Sequence, residues 1–354
     1  MALNSSLVGT SGKVTFESPS NIALVKYWGK YGRQMPQNAS LSFTLQNAKS
    51  ITTCEYEVLE EQQEKIQLTF NFEGKENDAF ANKISKFFLS IEDIFPWIRQ
   101  IKFNISSENT FPHSTGIASS ASAMSALSLC LCTIHEKVAG KLDDFFQHAS
   151  MVSRLGSGSA SRSVYPHLAQ WGKHPNISNS SNEFAIPFGD EVDEIFKGFH
   201  DDILIVSKKE KSVSSTAGHA LMDSNPYAES RYKSANENMS LLIKCMKEAD
   251  LETFIEIVER EALTLHAQMM CSKPSYILME PNTLEMINRI RKYRNETKIP
   301  LCFTLDAGPN IHLLYPAKYA SKIDGFIDNQ LIEFTQDDSI IRDRVGFGPQ
   351  KTNS

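Results

Sequence analysis

Residues 111–123 read Phe111-Pro-His-Ser-Thr-Gly-Ile-Ala-Ser-Ser-Ala-Ser-Ala123. A loop of small residues runs straight into a helix, which the apolar pattern carries over residues 119–139. Small side chains let backbone N–H groups converge on an anion, and the start of a helix adds its partial positive charge. Ser119 and Ser120 add hydroxyls able to reach a phosphate or a bound Mg²⁺. No Walker lysine is present, so this is not a P-loop. The same residues also suit a Ser-capped helix with a small-residue packing face.

The sequence on either side sets the fold class. Upstream, residues 14–16, 41–45, 50–58, 66–72 and 101–106 pattern as strands. A helix is expected over 79–88, with Phe80, Ile84, Phe87 and Phe88 on one side, and a Pro19-Ser20 turn before the apolar run 21–28. Strands this close together, without regular βαβ alternation, indicate α+β. Downstream, a helix over 142–155 precedes the polar stretch 176–182, which places a domain division at 185/186. The second part, 186–354, carries a strand at 203–206, helices over 225–247, 251–270 and 281–295, and strands at 301–305 and 311–315 around a tight turn. The polar segment after about Asp337 reads as a tail, either ordered or frayed.

Composition narrows the function. The 354 residues are 41% hydrophobic and carry 36 Lys and Arg against 42 Asp and Glu. A net charge of −6 argues against a general nucleic-acid binder or a polybasic membrane binder. No run of about 18 apolar residues exists, and residues 1–15 lack a signal-peptide core, so a cytoplasmic protein is expected. Six cysteines without a CxxC pair indicate reduced thiols rather than zinc or disulfides. The histidines show no ligand spacing. Glu60-Glu61 and Asp201-Asp202 read as solvated faces.

Three more segments hold chemistry. Arg154-Leu-Gly-Ser-Gly-Ser-Ala-Ser-Arg-Ser163 suits a phosphate cradle with a guanidinium fork, or a flexible glycine loop. Asn21-Ile-Ala-Leu-Val-Lys-Tyr-Trp-Gly-Lys30 sets Lys26 in an apolar run, where it either snorkels outward or is buried against an anion. Cys302-Phe-Thr-Leu-Asp-Ala-Gly-Pro-Asn310 ends a strand in Asp306, a turn starter or a carboxylate delivered to a cleft.

Together and in this order, these segments resemble the GHMP kinase superfamily and, within it, the diphosphomevalonate decarboxylases. Asn38-Ala-Ser-Leu-Ser-Phe-Thr44 and Val213-Ser-Ser-Thr216 extend the resemblance, which spans nearly the whole chain. It implies a GHMP kinase-like two-domain fold with a deep cleft between an N-terminal nucleotide-binding domain and a C-terminal α/β sandwich. It implies ATP-dependent decarboxylation of (R)-5-diphosphomevalonate to isopentenyl diphosphate, CO₂, ADP and phosphate, in the mevalonate pathway of isoprenoid biosynthesis. By the same resemblance Asp306 orients or deprotonates the 3-hydroxyl, Arg162 holds the substrate carboxylate and Lys26 steadies charge beside them. Tyr27, Lys30, Ser157, Ser159 and Ser214 hold the diphosphate end. Pro112, Ser114, Gly116, Ala118, Ser119, Ser120 and Ser122 cradle ATP, with Ser119 and Ser120 near Mg²⁺. The implied partners are small molecules and a second copy of the chain in a homodimer.

Thr216 stands where many bacterial relatives carry an arginine. Phosphomevalonate decarboxylation therefore stays an alternative, as do a mevalonate-type 3-kinase and a non-catalytic nucleotide-binding protein. A nicotinamide-dependent oxidoreductase rests only on Gly156 and Gly158, because the third fingerprint position is Ser161.

Overall fold

The alternating residues of the N-terminal half build one large sheet, seen here in a computed structural model that describes residues 3–111, 119–209 and 213–352. In chain order the first strands of the protein are β1 (Ser11–Val25), β2 (Lys30–Tyr31), β3 (Met35–Pro36), β4 (Ser40–Val58), β5 (Gln67–Phe72), β6 (Lys75–Glu76) and β7 (Ile101–Asn109), of which β2 and β3 pair only with each other. There follow β8 (Leu168–Trp171), β9 (Ala185–Pro187), β10 (Phe199–Leu204), β11 (Cys302–Thr304), β12 (Ile311–Pro316), β13 (Ile340–Arg344) and β14 (Gln350–Thr352). The helices are α1 (Asp78–Ser90), α2 (Ser119–Val138), α3 (Phe145–Gly156), α4 (Ser215–Ala220), α5 (Ala228–Lys247), α6 (Leu251–Met270), α7 (Pro281–Thr297) and α8 (Ala320–Phe326).

The first sheet runs β14-β1-β4-β7-β5-β6, with β8 on β4 and β9 on β8. Its pairings are antiparallel except β5 with β7. The expected turn at Pro19-Ser20 is instead a bulge inside β1, with a register shift between Pro19 and Asn21. Proline is tolerated there because β14 pairs only with Thr15–Glu17, so no ladder bond to that neighbour is lost. The two strands expected at 41–45 and 50–58 likewise fuse into β4, which pairs β8 with its first residues and β7 with its last.

Helix α2 lies across β1 and β4. Its small residues bring it close enough for hydroxyl pairs across the interface: Ser18 to Ser125 at 2.6 Å and Ser50 to Ser122 at 2.7 Å. On the same face Cys130 is buried and points its thiol at the carbonyls of Val14 and Thr52. Phe88 of α1 meets Phe103 of β7 edge-on at 5.0 Å, and burying such a ring contributes about 2–3 kcal/mol.

The second sheet runs β11-β12-β10-β13. It corrects the reading of Asp201-Asp202 as a solvated face. Strand β10 is flanked by β12 and β13, and both carboxylates are buried. Asp201 accepts from His312 Nδ1 at 2.9 Å, and Asp202 from Tyr315 Oη at 2.5 Å and Arg342 Nη1 at 2.8 Å. Charge on paper was compensated in space by residues more than a hundred positions away. The segment after Asp337 is ordered as β13 and β14, and β14 returns to β1, so the chain's end completes the first sheet. Position 185/186 falls within β9, whose partner is β8 of that first sheet.

Candidate active site

Strand β1 ends at Val25 and the chain then delivers Lys26, Tyr27 and Trp28 to a cleft; two residues beyond β11, Asp306 enters from the other side. Lys26 is buried, not snorkelling: its side chain is 2% exposed and its ammonium donates to Asp306 Oδ1 at 3.0 Å. Burial pulls the Lys26 pKa below the ordinary lysine value, against the pull of Asp306 in the opposite direction. The Asp306 side chain is 29% exposed, so it faces the cleft while its partner does not.

Arg162 closes the 3₁₀ turn Gly158–Arg162 that follows α3. It is buried, donates from Nη1 to Ser40 Oγ at 2.6 Å, and reaches Asn21 Oδ1 from Nη2 at 3.2 Å and Nε at 3.3 Å. Burial brings its pKa down to about 10, so it stays a cation at neutral pH. Asn21 is itself fixed by Ser163 Oγ at 2.7 Å. The turn needs glycine at 158, because a Cβ there would sit 2.8 Å from the Tyr27 hydroxyl oxygen. The Tyr27 ring packs edge-on against Trp171 at 4.8 Å, and burial raises its phenol pKa.

A cleft of about 620 Å³ gathers these groups. It is lined by Lys26, Tyr27, Lys30, Arg162 and Asp306, by Ser119 and Ser120 at the start of α2, by Ser157 and Ser159, and by Ser214. Residues nearly three hundred positions apart thus share one space. Lys30 holds Gln34 Oε1 at 2.8 Å across the β2–β3 hairpin, and partial burial lowers its pKa. Ser214 caps α4 by accepting the Ala217 N–H at 3.2 Å. Ser122 stands apart: it is buried between Ser50 and the Ser119 carbonyl, turned toward the sheet. Pro112, Ser114, Gly116 and Ala118 lie outside the described residues. Gly156 ends a helix and Gly158 opens a 3₁₀ turn, so neither follows a strand as a dinucleotide fingerprint requires.

The structure adds residues that the sequence did not single out. His219 lies between Tyr27 and Trp28, each ring centroid 4.4 Å away, and its Nδ1 accepts the Gly29 N–H at 3.0 Å. Burial, helped by Lys30, drives its pKa down to about 3, so it is a neutral wall of the cleft. A second cavity, about 310 Å³ and largely apolar, adjoins Ser119 and Ser120 and is walled by Phe70, Phe72, Phe80, Phe87 and Met124. The alternation of Phe70 with Phe72 and the helical spacing of Phe80, Ile84 and Phe87 were visible signals, but they read equally well as core. Among the described residues no cluster of three His, Cys, Asp or Glu side chains suits a metal ion.

The mixed α+β fold, with a helix mouth, a cation-lined cleft and a strand-end aspartate brought together, is that of a GHMP kinase-like enzyme. The diphosphomevalonate decarboxylase-like N-terminal domain matches residues 18–182, and the mevalonate 5-diphosphate decarboxylase C-terminal domain matches residues 202–351. The chain belongs to the diphosphomevalonate decarboxylase family. The diphosphomevalonate decarboxylase of Candida albicans is 27% identical over 364 residues, covering 95% of this chain and 97% of the relative. The mevalonate diphosphate decarboxylase of Trypanosoma brucei superposes with a TM-score of 0.78 at 26% identity, covering 97% and 98% of the two chains. MDDEF, solved in complex with MVAPP, AMPPCP and magnesium, has the same fold, with a TM-score of 0.81 at 24% identity over 98% of this chain and 100% of that one.

Proposed function

We propose that this chain decarboxylates (R)-5-diphosphomevalonate at the expense of ATP, yielding isopentenyl diphosphate, CO₂, ADP and phosphate, with Asp306, Lys26 and Arg162 as its catalytic residues. The observation that carries the reading is the Lys26–Asp306 contact of 3.0 Å in a cleft shared with Ser119, Ser120 and Arg162. A tertiary alcohol leaves poorly as hydroxide, and phosphorylation makes it a good leaving group. Asp306 takes the proton of the 3-hydroxyl as its oxygen bonds to the γ-phosphorus and ADP departs. Phosphate then leaves the tertiary carbon, the carboxylate leaves as CO₂, and the electron pair of the broken C–C bond becomes the new double bond. Lys26 steadies the negative charge that develops beside Asp306. Three of the five N–H donors of Arg162 are taken by Asn21 and Ser40, leaving two to orient the substrate carboxylate.

Tyr27, Lys30, Ser157, Ser159 and Ser214 are assigned to the phosphorylated end of the substrate. The residues at the mouth of α2 suit a triphosphate: two hydroxyls on the first turn of a 20-residue helix, beside an aromatic cavity of a size for a purine. Ser119 and Ser120 would hold Mg²⁺, which would supply charge neutralisation to the triphosphate. Cytoplasmic placement is supported by six cysteines that are all free. The homodimer comes from the resemblance and is checked by light scattering.

The test is an assay with ATP, Mg²⁺ and (R)-5-diphosphomevalonate, with phosphomevalonate run beside it because Thr216 removes a cation from the exposed start of α4. CO₂, ADP and phosphate in equal amounts from the diphosphate are expected. ADP without CO₂ would make the chain a 3-kinase, and turnover of the monophosphate alone would make it the other decarboxylase. Asp306→Asn should abolish turnover while ATP still binds, and a variant with wild-type kcat would overturn the assignment.

A further inference from the structure

Lys26 follows a strand of the first sheet and Asp306 follows a strand of the second, so the contact between them is only as well defined as whatever ties the two sheets together. One helix touches both residues. Glu261 of α6 accepts the backbone N–H of Lys26 at 2.9 Å, and His266 of α6 donates from Nε2 to the backbone carbonyl of Asp306 at 3.0 Å. Five residues, about 7.5 Å of helix, separate these attachments. The Lys26 peptide is held from its other end as well: Arg231 Nη2 donates to the Lys26 carbonyl at 3.0 Å. That same guanidinium makes two bonds to Glu261, at 3.0 and 2.7 Å, and both side chains are fully buried.

We infer that Glu261 and His266, with Arg231 of α5, are positioning residues that set the separation of Lys26 from Asp306. A fully buried ion pair gives no stability that well-packed apolar residues could not match. What apolar residues cannot do is bond both the N–H and the C=O of one residue and so fix the direction in which its side chain leaves the backbone. Here that residue is Lys26, whose amine must meet a carboxylate anchored on the same helix. Neither Glu261 nor Arg231 lines the cleft, so the effect on chemistry runs through Lys26.

This inference rests on the function proposed above. Its test replaces the pair together, Arg231→Met with Glu261→Leu, so that no lone charge stays buried. kcat and both KM values are measured with ATP, Mg²⁺ and (R)-5-diphosphomevalonate, in the wild-type and in the Lys26→Met background. A ten- to hundredfold fall in kcat is expected, with KM for both substrates within threefold. In the Lys26→Met background the same replacement should change kcat less than twofold, because no amine is left to position. Simple loss of folded protein would scale kcat by the same factor in both backgrounds, and that result, or a kcat within twofold of wild type, would overturn the inference. Should the double replacement not fold, His266→Leu decides. Its kcat should fall at least fivefold at constant KM, with at least half recovered by His266→Gln, which keeps an N–H donor. No fall, or no recovery, overturns the inference. Absence of turnover by the wild-type chain would remove the proposed function and this inference together, whereas wild-type turnover matched by the variants removes only this one.

Discussion

Replacing Lys26 by methionine keeps an unbranched apolar stem, one atom shorter, and deletes the charge 3.0 Å from Asp306. At an effective dielectric constant of about 20, two unit charges at that separation attract by 332/(20 × 3.0), about 5.5 kcal/mol. Water reaches Asp306, whose side chain is 29% exposed, so that figure is an upper bound, and removing one preorganised donor to developing charge costs about 3 kcal/mol. At 1.36 kcal/mol per decade this is a fall of about 10²-fold in kcat, the scale seen when one preorganised electrostatic donor is removed. Little should happen to ATP binding, because the amine points at Asp306 and not at the mouth of α2. The assay follows ADP by a coupled reaction and CO₂ by trapping, over a range of ATP and substrate concentrations. A Lys26→Met enzyme with kcat within about threefold of wild type would refute the electrostatic role. So would a rise in KM for ATP as large as the fall in kcat, since that would mean the cleft had collapsed.

Other outcomes follow from the same geometry. Arg162→Gln should lower kcat by about 10²-fold through loss of carboxylate orientation, and thermal unfolding should show about 1–3 kcal/mol of destabilisation because Asn21 and Ser40 lose a buried partner. Gly158→Ala places a methyl 2.8 Å from the Tyr27 hydroxyl oxygen and 3.0 Å from the Trp171 ring, so the phosphorylated substrate should bind about tenfold more weakly by calorimetry, at about 1–3 kcal/mol of overpacking. His219, pushed down to about 3, takes up its proton in the unfolded chain near pH 6.5 but not in the folded one. The folded state therefore binds fewer protons between those limits, and stability falls as pH falls below 6.5, by about 1.4 kcal/mol per pH unit from this group. Urea unfolding of His219→Gln should show that acid slope reduced by about this amount relative to wild type; parallel profiles would contradict the assignment.

What could be read from the chain alone was whatever is local. Helix α6 runs over residues 251–270 as the apolar spacing predicts, because a 3.6-residue period and the Asp250 cap need no distant partner. The helix mouth at Ser119, the turn around Asp306 and the glycine turn before Arg162 were legible for the same reason: each is a few consecutive residues with restricted backbone choices. Burial and pairing were not legible, because they are set by residues far away in the chain. Lys26 could have pointed to water until Asp306, 280 positions later, was brought to it. Asp201 and Asp202 look solvated until β12 and β13 close over them, and the polar tail is ordered or frayed alike on its sequence until β14 finds β1. The Phe70, Phe72, Phe80 and Phe87 stripe is core by composition and a cavity wall only by placement. Local patterning thus named the candidate groups, while the distances between them were decided by long-range contacts that no short window of sequence contains.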